Sequence, residues 1–213
     1  MTRLARPPVY RVARTPTRFA TPPPPAPEAP LRPAASSWGL VLELRNDFGF
    51  DRLIRVTYAN GSHDTIRLDD GFAGAIGASF LPLADGRFGT RATVGLKLSF
   101  IRGSNGSAWY TMFPVELVEF AYGGPFRLGA GFSLLVAPRL SGTGFLGDKG
   151  MSFAPSPGGV AEAEWIFAPQ TRTGVGVRVA VHQFSTSGVD RTAASTGLVL
   201  RSDFDLARRA HAD

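Results

Sequence analysis

Few side chains in this chain of 213 residues could perform catalysis. Cysteine is absent, and histidine occurs three times, as His63, His182 and His211. The pattern places these histidines in a loop, a strand and the C-terminal tail. We therefore predict no metal cluster and no cofactor.

A hydrolytic triad needs a serine, a histidine and a carboxylate that converge in space. The combination that could approximate one is His182 with Ser133 and either Glu162 or Glu164. An inward histidine beside glutamates on adjacent strands is explained more simply as part of an interior hydrogen-bond network. We therefore predict no catalytic residues and no enzymatic activity.

The elements that would position these residues are strands, because apolar side chains recur at every second position. The clearest case is Val175, Val177, Val179 and Val181, which alternate with smaller or polar residues. Eight segments follow this pattern: 40–44, 72–80, 94–100, 113–117, 128–136, 161–167, 175–181 and 198–204.

The connections between the predicted strands alternate in length. The short ones, at 82–89, 123–125 and 169–173, are rich in glycine and proline; the long ones are 49–71, 102–108, 138–158 and 186–193. Within the first long connection, Asn60-Gly61 predicts a hairpin that extends beyond the barrel. Short turns at one end and long loops at the other are typical of a transmembrane β-barrel.

The composition of the more polar face of the strands indicates which face contacts lipid. The chain contains only two lysines, Lys97 and Lys149, and its second face is mostly glycine, serine, threonine and alanine. Such small residues suit the narrow interior of an eight-stranded barrel. We predict that the apolar face contacts lipid, through Leu42, Val94, Leu96, Leu128, Phe132, Leu134, Val177, Val179, Leu198 and Leu200.

Aromatic residues concentrate near the two ends of the predicted strands. Belts at both ends are typical of membrane interfaces. The predicted aromatic girdle comprises Trp38, Phe80, Phe100, Trp109, Phe126, Trp165, Phe167, Phe184 and Phe204.

Charged residues on the inner face need partners, because an unpaired ion in a narrow interior is costly. The acids and bases of this face are almost balanced in number, so we predict a salt-bridged plug rather than an open pore. The predicted network comprises Glu43, Arg45, Arg91, Lys97, Glu116, Arg127, Glu162, Glu164, Arg178, Arg201 and Asp203. Strict alternation places Glu119 on the lipid side, where either contact with headgroups or a bulge would accommodate it.

The net charge of +6 is concentrated at the N-terminus. Residues 1–37 hold six arginines, one acid, 10 of the 17 prolines and no glycine, a composition that favours a disordered tail. We predict a tail at 1–37, a barrel at 38–204 and a short extension at 205–213, without nucleic-acid binding. The tail lacks the apolar stretch of a secretory signal peptide, so we expect a misassigned start or a removed signal.

Several stretches resemble small bacterial outer-membrane β-barrel proteins of the opacity or OmpA-like class. They are 39–48 (GLVLELRNDF), 91–100 (RATVGLKLSF), 114–117 (PVEL), 126–132 (FRLGAGF) and 197–204 (GLVLRSDF), the last of which resembles a C-terminal β-signal. The resemblance implies an all-β, eight-stranded antiparallel up-and-down transmembrane barrel in the Gram-negative outer membrane. It also implies contact with outer-membrane lipid and insertion by the barrel-assembly machinery. The chain departs from the pattern because it continues nine residues past Phe204 and carries Ser202 at a usually apolar position.

Three functional hypotheses remain open from the sequence. The first is a non-enzymatic outer-membrane barrel whose long extracellular loops serve structure or bind an unidentified ligand. The second is a soluble calycin-like barrel that binds an apolar ligand inside. The third is a small outer-membrane lipid-modifying enzyme, with Asp47, Asp51, Asp64 and His63 as its loop-side candidates.

Overall fold

The computed structural model describes residues 37–58, 60–82, 87–103, 106–144, 150–186 and 189–206. The predicted tail, apart from Ser37, and residues 207–213 of the predicted extension lie outside the described residues. In the described ranges, no helix has the length and apolar character needed to cross a membrane.

The described residues form eleven strands. Their bounds are β1 Ser37–Gly49, β2 Arg52–Thr57, β3 His63–Arg67, β4 Gly71–Leu81, β5 Phe88–Gly103, β6 Gly106–Gly123, β7 Phe126–Gly144, β8 Met151–Ser152, β9 Ser156–Ala168, β10 Thr173–Thr186 and β11 Val189–Asp205.

Eight of these strands form one closed antiparallel sheet. The barrel strands are β1, β4, β5, β6, β7, β9, β10 and β11. Each of them pairs with the barrel strand that follows it in the chain, and β11 pairs with β1 to close the ring. The closing register runs from Gly39 opposite Asp205 to Gly49 opposite Ser195. The predicted fold class, an eight-stranded up-and-down β-barrel, is confirmed.

Several strands are longer than the sequence pattern indicates. β6 has 18 residues and β7 has 19, whereas a tilted strand needs about 9–11 residues to cross a bilayer. The prediction of loops at 102–108 and 186–193 is therefore wrong for most of these residues. They extend the paired strands β5–β6 and β10–β11 instead. Polar composition marks where a strand leaves the apolar band, whereas backbone pairing continues beyond that point.

The hairpin β2–β3, which we call the cap, does not simply project from the barrel as predicted. Its Val56 and Ile66, together with Leu68, are buried in an apolar cluster with Tyr110 and Phe184 from the inner wall. The remaining cluster members also come from the long-connection end of the barrel. The cap therefore packs into that end, and the interior has an apolar layer above its charged layer.

Candidate functional site

Alternation along the barrel strands places charged side chains inside. On β1, Glu43, Arg45 and Asp47 are buried, while the adjacent Leu42 and Leu44 are exposed. The eleven residues of the predicted interior network are all at most 5% exposed. Two further acids, Asp47 and Asp69, share the interior and were not in the predicted network.

Arg201 lies at the centre of the charged layer. Its guanidinium contacts Glu43 and Glu162, each at 2.8 Å, and also Glu164. One arginine thus joins carboxylates from β1 and β9. Such multiple charge-assisted hydrogen bonds use the planar fork of arginine, which lysine lacks.

The neighbouring contacts extend this centre around the barrel. Arg45 contacts Glu116 at 2.9 Å and Glu43 at 3.0 Å, and Arg178 contacts Glu116 at 3.1 Å. Arg91 contacts Glu162 at 3.1 Å. Charged groups from opposite walls are therefore connected in one network.

Towards the short-turn end, Arg127 pairs with Glu164, and Asp203 accepts a hydrogen bond from the Ser79 hydroxyl at 2.7 Å. Asp203 also pairs with the partly exposed Arg172 at 3.3 Å. The network therefore reaches the turn between β9 and β10.

Phe120 is an inward aromatic residue that the sequence interpretation missed. The guanidinium carbons of Arg91, Arg127 and Arg201 lie 4.8, 5.1 and 5.4 Å from its ring centroid. A ring face attracts cations, so Phe120 stabilises three arginines that approach one another. Strict alternation on β6 could have placed it inside, because Glu116 and Val118 have the same parity.

Asp69 connects the cap to the barrel wall. The Lys97 ammonium contacts its carboxylate at 2.6 Å, and the Ser195 hydroxyl donates to it at 2.6 Å. Burial tends to raise the pKa of Asp69, but Lys97 and His182 outweigh this effect and lower it below its usual value. Lys97 also contacts Asp47 at 2.7 Å.

Asp69, His182 and Ser133 form a hydrogen-bonded row with the residue types of a hydrolytic triad. His182 Nδ1 lies 3.0 Å from Asp69 Oδ2, and Nε2 lies 3.0 Å from Ser133 Oγ. The sequence hypothesis paired His182 with Glu162 or Glu164. That choice is wrong, because these glutamates contact Arg91, Arg127 and Arg201.

The hydrogen bonds of this row differ from those that activate a nucleophile. The Ser133 hydroxyl donates to Glu116 Oε1 at 3.2 Å, whereas a nucleophilic serine donates its proton to the histidine base. All three members are at most 1% exposed, which leaves no path to a substrate in this conformation.

The buried charges of the interior are almost balanced. The described interior holds seven buried acids, Glu43, Asp47, Asp69, Glu116, Glu162, Glu164 and Asp203, against six buried bases, Arg45, Arg91, Lys97, Arg127, Arg178 and Arg201. The partly exposed Arg172 pairs with Asp203 and supplies a seventh positive charge.

Carboxylate oxygens of Glu43, Glu116 and Glu162 lie within 4.8 Å of one another, close enough to share a cation. Arginine side chains already contact each of these carboxylates. Guanidinium groups thus supply the positive charge that a metal ion would supply.

The outward face is apolar. Most residues predicted to face lipid are exposed, including Leu128 at 61% and Val177 at 55%; Leu134 is half-buried. Trp38, Phe100, Trp109, Phe126, Trp165, Phe167 and Phe204 are exposed outward aromatics, and Phe80 is half-buried.

Phe184 is a wrong assignment to the aromatic girdle. It is 2% exposed and lies in the apolar cluster under the cap, 6.1 Å from the ring of Phe153. The reason is parity on β10: since Val177, Val179 and Val181 point outward, Phe184 points inward.

Glu119 lies on the outward face without a local bulge. It is paired with Thr90 across β5 and β6, and the Thr90 hydroxyl donates to both carboxylate oxygens at 2.9 and 2.8 Å. The irregularity in the β6–β7 register lies between Thr111 and Phe113 instead.

The loop-side enzyme candidates do not assemble. Asp47 is buried against Lys97 rather than being in a loop, and Asp51 accepts a backbone hydrogen bond from Ala194 at 3.3 Å. His63 and Asp64 are exposed on the cap. The charged layer is equally incompatible with the apolar central cavity that a calycin-like barrel requires.

No family model matches the chain, and no curated protein matches it in sequence. A solved structure of Ail, the attachment invasion locus protein of Yersinia pestis, in complex with the heparin analogue sucrose octasulfate, is similar at a TM-score of 0.51 and 6% identity. The similarity covers 79% of this chain and 98% of that chain. Neisserial surface protein A gives a TM-score of 0.49 at 10% identity over 81% of this chain and 99% of that chain. The similarity to Ail therefore shows that the chain has the fold of a small outer-membrane β-barrel protein.

Proposed function

We propose that the protein is a Gram-negative outer-membrane β-barrel without enzymatic activity. Its interior is an ion-paired plug, and its capped end is a surface for structural or partner contacts. The observation that carries the proposal is the inverted distribution of polarity, with ions inside and apolar side chains outside.

The apolar band is the first support. Soluble monomers rarely expose contiguous apolar patches of more than a few hundred Å². Here Val175, Val177 and Val179 on β10 are 41–55% exposed beside Leu198 and Leu200 on β11, at 55% and 44%. Exposed apolar side chains also line the outward face of the other barrel strands. This face is therefore suited to contact with the hydrocarbon of a membrane.

The interior supports a plug rather than a channel. Arginine side chains from β5, β7, β10 and β11 fill the charged layer, and the apolar cluster under the cap fills the layer above it. We infer that the barrel does not conduct ions. Insertion by the barrel-assembly machinery is proposed from the alternating apolar residues of β11 that lead to Phe204.

The capped end is the surface available for an external partner. Exposed arginines there include Arg52, Arg55, Arg67 and Arg102. Their charge favours an anionic partner over a cationic one.

The test is fractionation of the full chain from Gram-negative cells. We expect recovery with outer membranes and a different gel mobility when the sample is not heated. Recovery as a water-soluble monomer would contradict the proposal.

A charge on the apolar band tests the same proposal energetically. Val177→Arg should destabilise the membrane-embedded barrel by about 2–4 kcal/mol, because a cation at mid-membrane is costly. Thr57→Arg, at an exposed position of the cap, is the matched control and should leave the unfolding free energy nearly unchanged. Equal effects of the two substitutions would place Val177 in water.

A further inference from the structure

A small crevice opens at the capped end, between the cap and the β10–β11 hairpin. Its volume is about 110 Å³, and its lining includes Leu53, Leu68, Phe153 and Phe184 with Arg52 and Arg191. The crevice lies on the inner side of the wall, because Phe184 belongs to the apolar cluster and is paired with Arg191 across the two strands.

The floor of the crevice is apolar. Leu68 and Phe184 are 2% exposed and Phe153 is 8% exposed, and the two phenylalanine rings meet edge to face. Such a floor offers no hydrogen bond to a polar group, so it favours a hydrocarbon segment.

Two arginines line the same crevice, and both are exposed. Among the residues that the structure describes, the guanidinium groups of Arg52 and Arg191 have no hydrogen-bond or ion-pair partner. The arginines of the charged layer, by contrast, are all paired with carboxylates. Two unpaired cations beside an apolar floor are complementary to an anionic head with an apolar tail.

We propose that this crevice binds a free anionic amphiphile, such as a short-chain carboxylate or alkyl sulfate. Its chain end lies against Leu68, Phe153 and Phe184, and its head accepts hydrogen bonds from Arg52 and Arg191. An apolar cavity of about 150 Å³ holds benzene, so about 110 Å³ suits one chain end and not a two-chain lipid. The inward position also separates the site from membrane lipid.

The proposed binding site goes beyond the proposed function. Binding of an amphiphile in the crevice does not require that the barrel lies in a membrane. The experiment uses the full chain folded in phosphatidylcholine nanodiscs, with the heat-dependent gel shift as the folding control. Sodium hexanoate and hexyl sulfate are titrated by calorimetry and by methyl NMR. We expect saturable binding, with shifts at the methyl groups of Leu53 and Leu68, and weaker binding of the neutral analogue hexanol.

Matched variants separate the crevice from general attraction to charge. Arg52→Gln and Arg191→Gln should each weaken binding about threefold to fivefold, whereas Arg55→Gln on the same cap should leave it unchanged. Leu53→Trp, which fills the crevice from a half-buried position, should abolish binding while the gel shift persists.

Three results would overturn the proposal. They are an equal loss in Arg55→Gln, undiminished binding in Leu53→Trp, and titration curves that match those of empty nanodiscs. A normal gel shift in any of these cases would leave the barrel proposal intact. Loss of the gel shift and of membrane recovery in the native chain would instead contradict the proposed function.

Discussion

At the scale of single residues, the interior depends on arginines that each satisfy more than one carboxylate. Arg201 contacts three glutamates and lies 5.4 Å from the ring of Phe120. Removing one partner from such a group leaves a buried charge uncompensated, which costs more than the intact pair contributes.

Arg201→Met should therefore destabilise the barrel by about 3–5 kcal/mol, because Glu43, Glu162 and Glu164 lose a shared cation. The measurement is urea-induced unfolding in lipid vesicles. Arg55→Met, at an exposed position with no partner among the described residues, should change the unfolding free energy by less than about 1 kcal/mol. An Arg201 variant as stable as the Arg55 variant would show that the network is not needed.

All eleven charged residues that parity placed inside are buried, but parity does not predict how they pair. Asp47 was missed although it has the parity of Glu43 and Arg45 on β1. Asp69 was missed because it lies in a connection, where no periodicity indicates the direction of a side chain. Phe184 was misplaced because proximity to a strand end was given more weight than parity. The partner of His182 was wrong for the same reason as Asp69, since the sequence does not indicate that the cap brings a carboxylate inside.

At the scale of elements, inward glycines make room for the long side chains of neighbouring strands. A Cβ added at Gly176 would lie 2.3 Å from the Ala163 carbonyl oxygen and 2.5 Å from Glu164 Cγ. At the outward Gly74, the nearest atom would be Leu44 Cδ2 at 3.8 Å. The two glycines therefore have different roles although both lie in barrel strands.

Gly176→Ala should destabilise the barrel by about 1–3 kcal/mol, since the backbone and Glu164 must shift to admit the methyl group. Gly74→Ala should be neutral or slightly stabilising, because the space is open and the unfolded chain loses freedom. Both are measured by the same unfolding experiment. A reversed order of the two variants would mean that the inner face is less tightly filled than described.

The eight barrel strands were predictable because alternation persists over each of them. Their upper ends were not, since pairing such as Arg102 with Ser107 and Thr186 with Val189 continues where the apolar pattern stops. The hairpin at Asn60-Gly61 was predicted as a local element. Its packing was not, because the sequence does not show which surface covers Val56 and Ile66.

At the scale of the whole molecule, the closed sheet has an ionic middle and an apolar exterior. Closure satisfies the backbone groups that an open edge would expose to lipid. The charges then lie away from hydrocarbon and pair with one another, so both the fold and the polarity pattern suit a bilayer. Period-two alternation and the scarcity of lysine together predicted this arrangement.

The central claim, that the outward face contacts hydrocarbon, is tested most directly by spin labels on single cysteines. The native chain has no cysteine, so Val175→Cys, Val177→Cys and Val179→Cys in lipid vesicles each report one position. We expect frequent collisions with oxygen and few with a water-soluble nickel complex at all three positions. At Thr57→Cys on the cap we expect the reverse. Labels on the three valine positions that collide mainly with the nickel complex would show that this face contacts water instead.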